Sequence, residues 1–202
     1  DWLAGAVRLM REVSTRFTDG SGGLLMTPAD GEELIARPRA TADGATPSGN
    51  SVAVHNLVRL SLLTGDPGLD ERARRAARAT TPFVAAAPAA HAYALAALDL
   101  LFGPTMEVVI AGRTGAEDTE TMLAAVGERF APRTVVLFRP ADDPDAVDAV
   151  APFAAQCVMV DGRATAYLCE RRTCRAPTTD PRALARMLEG ARASRLSGRA
   201  NG

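Results

Sequence analysis

The hydrophobic pattern of the chain changes once, at Gly103-Pro104, and this change limits the available folds more than any other feature. Before it, apolar residues recur at helical spacing, as in residues 2–17. After it, short β-branched runs such as 106–111 alternate with segments of helical pattern. Helical spacing predicts amphipathic helices, and buried strands between helices predict an α/β layer. We therefore predict helical hairpins over 1–102 and a small α/β portion over 103–190.

Glycine, proline and polar clusters divide these two portions into elements. The predicted helices are 2–17, 51–64, 68–86 and 89–102 in the first portion and 116–130, 144–154 and 180–190 in the second. The predicted strands, about four in number, are 106–111, 134–138, 157–160 and 165–169. A long loop rich in Pro, Gly, Asp and Thr covers 27–50, and residues 191–202 predict a frayed tail. The predicted fold class is α+α/β.

Composition excludes several functions. The 23 basic residues are all arginine, so this chain has no lysine for a Walker A loop, a pyridoxal-phosphate site or a Schiff base. A net charge of −1 gives no electrostatic footprint for nucleic acid, and no apolar run is long enough to span a membrane. Three cysteines are too few for a secreted disulfide framework, which predicts a cytoplasmic location. No motif implies a cofactor.

The polar loop that enters the second helix holds the first candidate site. Its candidate substrate-binding residues are Arg37, Asp43, Ser48, Asn50 and Ser51. Backbone N–H groups at a helix N-terminus can hold an anion or a hydroxylated ligand, and an arginine can bind a carboxylate through two hydrogen bonds. The alternative is a buried structural loop in which Arg37 pairs with Asp43 and the Asn50 amide binds backbone.

Cys169 and Cys174 form the second candidate, as a redox pair. Four intervening residues permit a hairpin that joins the sulfurs, and the neighbouring Arg171, Arg172 and Arg175 favour thiolate. The alternative is two reduced structural thiols. No nearby histidine completes a zinc tetrad, so no metal site is predicted.

The two histidines, His55 and His91, give a third candidate, a general acid–base pair in the helical portion. Packing or solvent-facing histidines are the alternative. The turn at 112–115 lacks the third glycine of a dinucleotide fingerprint and is interpreted as a strand-to-helix turn. The pattern assigns no catalytic residue.

Several segments together resemble the C-terminal part of the spermatogenesis-associated, thioredoxin-domain-containing proteins. They are Glu33-Leu34-Ile35-Ala36-Arg37-Pro38-Arg39, Asp43-Gly44-Ala45-Thr46-Pro47-Ser48-Gly49-Asn50-Ser51, Asn56-Leu57-Val58-Arg59-Leu60, Leu63-Thr64-Gly65-Asp66, Glu107-Val108-Val109-Ile110-Ala111-Gly112, Ala166-Tyr167-Leu168-Cys169 and Thr173-Cys174, with Pro177 and Thr179-Asp180-Pro181. The resemblance covers about residues 15–190.

The resemblance implies a thioredoxin-like domain followed by an (α/α)6 toroid similar to N-acylglucosamine 2-epimerases and six-hairpin glycosidases. This chain would then be a fragment, holding the last toroid hairpins and a closing α/β portion. Its partners would be the missing N-terminal thioredoxin-like and toroid segments, with a small hydroxylated ligand. His55 lies where the family usually has an apolar residue, so no epimerase role is transferred to it.

Two functional hypotheses follow, and neither establishes that the chain is an enzyme. In the first, the chain forms part of a toroid pocket for a carbohydrate-like substrate, with sugar epimerase or isomerase-like activity in the full-length protein. In the second, it is a non-catalytic structural or partner-binding module, and its exposed edge should be apolar. A thiol-redox accessory role through Cys169 and Cys174 is a third alternative.

Overall fold

The computed structural model describes residues 2–170 and 173–197, with side chains as far as residue 189. The chain divides into two compact units, 1–103 and 104–202. The described residues form α-helices in both units and a four-stranded mixed sheet in the second. The predicted α+α/β fold class is confirmed.

The first unit is helical. Its α-helices are α1 (Trp2–Arg16), α2 (Gly49–Thr64), α3 (Pro67–Ala86) and α4 (Ala92–Phe102), and a 3₁₀ turn, Pro88–His91, precedes α4. The ends of α2 follow from local chemistry, because the Ser48 side chain caps the first turn and Gly65 takes the left-handed conformation that ends the last. Asp66 caps α3 directly afterwards, with Pro67 in the first turn where its missing N–H costs nothing.

The second unit is built on one sheet. Its strands are β1 (Met106–Gly112), β2 (Thr134–Pro140), β3 (Thr165–Glu170) and β4 (Thr173–Cys174), in the spatial order β2-β1-β3-β4. The pair β1–β2 is parallel and is connected through α5 (Glu117–Gly127), whereas β1–β3 and β3–β4 are antiparallel. The remaining helices are α6 (Asp145–Asp148), a 3₁₀ helix at Pro152–Gln156, and α7 (Pro181–Ser197).

The core of this unit lies between one face of the sheet and two helices. Alternate residues of β1 and β3 point to the same face, and these pack with α5 and α7. The cluster consists of Met106, Val108, Ile110, Met122, Ala125, Val126, Ala164, Ala166, Leu168, Leu184 and Leu188. Every residue of β1 is buried, as expected for a central strand.

The predicted strand at 157–160 is wrong. Residues 157–159 have no regular structure, and Val160 makes only an isolated bridge to Arg163. The Tyr167 hydroxyl replaces a neighbouring strand here, because it accepts from Val158 N at 3.2 Å and donates to Val158 O at 2.7 Å. Backbone groups satisfied by a side chain need no ladder. The fourth strand is instead the short β4.

Three predicted helix boundaries also differ. The helix predicted at 144–154 is two short pieces, α6 and the 3₁₀ helix, and the one predicted at 116–130 ends at Gly127. The last helix runs to Ser197 rather than to residue 190, so it enters the predicted frayed tail. The rest of that tail, 198–202, lies outside the described residues.

Gly112 ends β1 against α5, and its missing side chain is needed there. A Cβ at this position would lie 2.9 Å from Thr119 Cγ2 and closer still to Thr119 Oγ1, and Thr119 is fully buried. We expect Gly112→Ala to lower the free energy of unfolding by about 1–3 kcal/mol, because the buried threonine has little room to move. Urea denaturation of both proteins measures this difference.

Gly127→Ala is the matched control, because nothing lies within 4 Å of a Cβ there and it is the last residue of α5. Alanine should be neutral or stabilising by up to about 1 kcal/mol at this position. A Gly112→Ala protein as stable as the control would contradict the close packing of β1 on α5.

Candidate functional site

Asp43 organises the candidate loop. Its Oδ1 accepts from Ser48 N at 2.8 Å, and its Oδ2 accepts from Tyr93 N at 2.8 Å and Ala94 N at 3.1 Å. The carboxylate therefore binds the entry to α2 and the N-terminal turn of α4 together. Burial alone would raise the pKa of Asp43, but these backbone donors and the Ser51 side chain outweigh burial and lower it.

Asn50 fastens the same loop through its side-chain amide. Its Oδ1 accepts from Leu24 N at 2.7 Å, and its Nδ2 donates to Leu24 O at 2.9 Å and to Ala40 O at 2.7 Å. The residue is 5% exposed. One buried amide thus holds two stretches of irregular chain against the start of α2, with hydrogen bonds of about 1 kcal/mol each.

Ser48 and Ser51 form the N-terminal cap of α2. Ser48 Oγ accepts from Ser51 N at 3.1 Å and lies 2.8 Å from Ser51 Oγ, with both residues buried. These contacts satisfy orphan groups of the helix end. Their hydroxyls are therefore used within the chain.

Arg37 binds Thr27, not Asp43, so the predicted ion pair is wrong. Its Nη2 donates to Thr27 O at 2.6 Å, and its Nε lies 3.4 Å from Thr27 Oγ1. The neighbouring arginine, Arg39, pairs with Asp19 and donates to Ser21 Oγ at 3.1 Å. Both guanidinium groups hold turns of the loop in place.

The structure thus gives each of the five candidate residues a partner within the helical unit. Asp43, Ser48, Asn50 and Ser51 are brought together at the start of α2, and Arg37 is held by Thr27. The sequence did not indicate that Asp43 reaches α4, because the two segments are 50 residues apart. This arrangement matches the structural alternative for the loop more closely than a ligand cradle.

Helix α1 carries an apolar face that is exposed over its first half. Trp2, Ala6, Leu9, Val13 and Phe17 follow one another at spacings of three and four residues, which places them on one side of the helix. We call these residues the apolar stripe. Trp2 is 95% exposed and Leu9 62% exposed. This face is distinct from that of Val7 and Met10, which are buried in the unit.

An apolar groove continues from the stripe. It has a volume of about 410 Å³ and lies between the end of α1, the segment 24–26 and the start of α2. Its apolar lining residues are Met10, Val13, Phe17, Leu24, Leu25, Met26, Ala40, Val52 and Ala53. Met26 is largely exposed within it. The groove therefore extends the apolar surface that begins with Leu9 on α1.

The two histidines have separate local environments. His55 lies against Tyr93, with ring centroids 5.3 Å apart and 3.4 Å between His55 Nδ1 and the Tyr93 hydroxyl. Burial and the nearby Arg59 charge lower the pKa of His55, which disfavours the protonated ring. His91 is buried, and its Nδ1 lies 2.8 Å from Ala87 O. Each ring serves packing in the contacts that are described.

Cys169 and Cys174 are joined by a disulfide across β3 and β4, where they face each other in register. The predicted hairpin is confirmed, and the alternative of two reduced thiols is not what the structure contains. Cys174 is exposed and Cys169 is buried. Of the predicted flanking arginines, Arg175 pairs with Glu170 at 3.6 Å, and Arg171 and Arg172 lie outside the described residues.

The third cysteine, Cys157, is a buried free thiol, and burial raises its pKa. Within residues 2–170 and 173–189, no three His, Cys, Asp or Glu side chains come together as metal ligands do. Among the helices in the described part of the chain, none combines the length and the apolar character needed to cross a bilayer.

Fold and site together define a two-part protein, with a helical-hairpin unit stabilised by a polar loop and an α/β unit that carries a disulfide hairpin. No protein-family model matches the chain. It is 32% identical over 189 residues to spermatogenesis-associated protein 20 of Rattus norvegicus, and 31% identical to those of Homo sapiens and Mus musculus. Each alignment covers 93% of this chain and 24% of the relative.

The chain therefore belongs to the spermatogenesis-associated protein 20 family, as the sequence segments predicted. It spans about a quarter of the length of these curated relatives.

The lowered pKa of Asp43 makes part of the stability depend on pH. A carboxylate whose folded-state pKa is depressed stabilises the fold fully above its unfolded pKa, and this contribution is lost as the pH falls through the folded pKa. We expect wild type to be more stable than Asp43→Asn by about 2–3 kcal/mol at pH 7. This difference should shrink progressively below about pH 4. Urea denaturation between pH 7 and pH 2.5 measures it.

Glu33→Gln is the control, because Glu33 is exposed in the same segment and has no hydrogen bond or ion pair within the described residues. Its stability should follow wild type at every pH. A constant difference between wild type and Asp43→Asn across the whole range would show that the Asp43 charge does not stabilise the loop.

Proposed function

We propose that the chain is a non-catalytic structural and partner-binding module, whose helical unit packs through the apolar stripe and the apolar groove against further helices of a longer protein. The observation that carries this proposal is the stripe itself, because two of its large apolar side chains, Trp2 and Leu9, are exposed on one side of α1, with Val13 and Phe17 half-buried further along. An exposed apolar edge is what this function requires.

The length of the relatives supports the choice of what would pack on the stripe and the groove. They are about four times as long as the matched region, so in those proteins most of the sequence lies outside it. The occupant is a helix of that additional sequence, and the family resemblance assigns it to an earlier hairpin of an (α/α)6 toroid. An apolar helix face in an apolar groove is a common way for helices to bind.

The competing hypothesis is a toroid pocket in which Arg37, Asp43, Ser48, Asn50 and Ser51 bind a carbohydrate-like substrate. Their polar groups bind the chain itself, in the contacts described above. No observation in the described residues favours such a ligand over the structural role. Sugar sites also commonly use aromatic faces, and aromatic residues make up only 4% of the chain.

The decisive experiment places a charge on the stripe. Leu9→Glu should lower the stability of the intact gene product by about 2–3 kcal/mol, since it would bury a charge where a leucine packs. In the 202-residue chain alone the same change should stay within about 0.5 kcal/mol, because Leu9 is exposed there. Thermal and urea denaturation of both proteins provide the comparison.

Arg8→Gln is the matched control, because Arg8 is exposed on α1 beside Leu9 but does not belong to the stripe. It should be neutral in both proteins. An equal, small effect of Leu9→Glu in both proteins would overturn the proposal. So would a reading frame that begins at or near Asp1 and adds no helices.

A second candidate function is thiol–disulfide exchange, and the observed Cys169–Cys174 bond favours it. The co-reactant would be a protein dithiol such as that of a thioredoxin-like domain. Its thiolate attacks Cys174 Sγ, a mixed disulfide forms, and Cys169 leaves as a thiolate that takes up a proton. The second thiol of the partner then displaces Cys174, so the partner is oxidised as this pair is reduced.

Exposure determines which sulfur reacts. Cys174 lies on the exposed edge strand, whereas Cys169 is 5% exposed and is shielded from attack. Alkylation under denaturing conditions should count one free thiol before reduction, that of Cys157, and three after treatment of the folded protein with a thioredoxin and its reductase. Mass spectrometry reads both numbers.

Cys174→Ser controls for the assignment, because it should show two free thiols before and after treatment. Three thiols in untreated wild type, or one thiol remaining after thioredoxin treatment, would exclude the exchange function.

A further inference from the structure

The arginine-rich face of α3 divides into two kinds of arginine. Arg74 pairs with Asp70 at 2.8 Å, and Arg78 pairs with Glu71 at 3.5 Å, so two positive charges are balanced within the helix. Arg72 and Arg75 have no carboxylate partner among the described residues. They are three residues apart and therefore lie on the same side of α3.

These two unbalanced arginines line one cavity. It has a volume of about 110 Å³ and lies between α1, the turn at 18–24, α2 and α3. Apolar side chains from Met10, Ala53, Leu57 and Ala76 also line it. The volume is well above the roughly 10–15 Å³ that one water molecule needs, so a small polar ligand has room.

The turn that faces the arginines is shaped for close approach. Gly20 and Gly22 both have positive φ, at 84° and 98°, and both line the cavity. A Cβ on Gly22 would lie 2.8 Å from Arg75 Cγ, so only glycine permits this contact with α3. The turn therefore sets the width of the cavity beside Arg75.

The polar groups of this turn do not offset the positive charge of Arg72 and Arg75. Thr18 lines it and accepts from Gly20 N at 3.3 Å, which leaves the Thr18 hydroxyl hydrogen available to a ligand oxygen. The acid in the same turn, Asp19, is neutralised by Arg39 and by Ser21. No acidic residue lines the cavity. Two arginines and a threonine thus line a space that no carboxylate lines.

We propose that this cavity is a binding site for a phosphate group, either free or as a small phosphate monoester, with Arg72 and Arg75 as its principal ligands. A guanidinium donates two parallel hydrogen bonds to phosphate oxygens, and two of them at helical spacing hold a tetrahedral anion from one side. The Thr18 hydroxyl supplies a further donor from the turn. This site shares no residue with the five candidate substrate-binding residues of the loop.

The test is a phosphate titration of the 202-residue chain, followed by ³¹P NMR and by calorimetry, with inorganic phosphate and methyl phosphate as separate probes. We expect saturable binding that Arg72→Gln/Arg75→Gln weakens at least tenfold. Tighter binding of methyl phosphate identifies a monoester as the ligand, and tighter binding of inorganic phosphate identifies the free ion. Sodium chloride at matched ionic strength is the control for screening.

Arg74→Gln/Arg78→Gln is the matched variant, because it removes the same number of charges from the same helix. It should bind phosphate as wild type does, and Arg72→Lys/Arg75→Lys should bind with intermediate affinity. Circular dichroism establishes that each variant is folded. Absence of saturable binding to wild type, or an equal loss in the two glutamine variants, would overturn the proposal.

Discussion

The helical unit depends on satisfying the backbone of an irregular segment without a hydrogen-bond ladder. Residues 17–48 contain no helix and only an isolated bridge between Thr18 and Leu24. Buried backbone groups that lack partners cost more than ordinary hydrogen bonds supply. The side chains of Asn50 and Asp43 provide these partners. Asn50 binds the backbone of Leu24 and Ala40, and Asp43 binds the backbone of Ser48 and of the start of α4. The loop keeps its path because two side chains replace the missing ladder.

The sequence predicts the helices of this unit well, but it predicts poorly which groups its side chains bind. The caps of α2 and α3 are local, since Ser48, Gly65 and Asp66 lie at the helix ends that they determine. The hydrogen-bond donors to a carboxylate, in contrast, need not be close to it in the sequence. Asp43 has Arg37 six residues away, yet it binds backbone N–H groups 50 and 51 residues along the chain. A pairing rule based on charge and proximity selects the wrong partner, because free helix N-termini also bind carboxylates strongly.

The α/β unit shows a similar limit of local pattern. The apolar run at 157–160 resembles the runs that form β1 and β3, and its propensity is correct for a strand. The backbone N–H and C=O of Val158 instead form hydrogen bonds with the Tyr167 hydroxyl. Nearby, Arg139 forms a half-buried ion pair with Asp148 at 2.7 Å. These contacts depend on which elements become neighbours. Strand β4 has only two residues, so no periodicity reveals it, and Cys174 gives the one sequence signal that it faces β3.

In the helical unit, the polar groups of the candidate loop have partners within the chain, whereas part of the apolar stripe remains exposed. This difference bears on function. A pocket that awaits a ligand presents polar groups without partners inside an otherwise complete fold. The candidate loop shows the opposite arrangement, since the amide of Asn50 and the carboxylate of Asp43 are fully used by the chain. The incomplete part is the stripe on α1, where Trp2 and Leu9 have no apolar neighbours that bury them. Because burying a leucine side chain stabilises by about 1.5–3 kcal/mol, selection for solubility alone would not keep such residues exposed at helical spacing. This difference supports the proposed packing surface rather than the competing proposal of a sugar pocket.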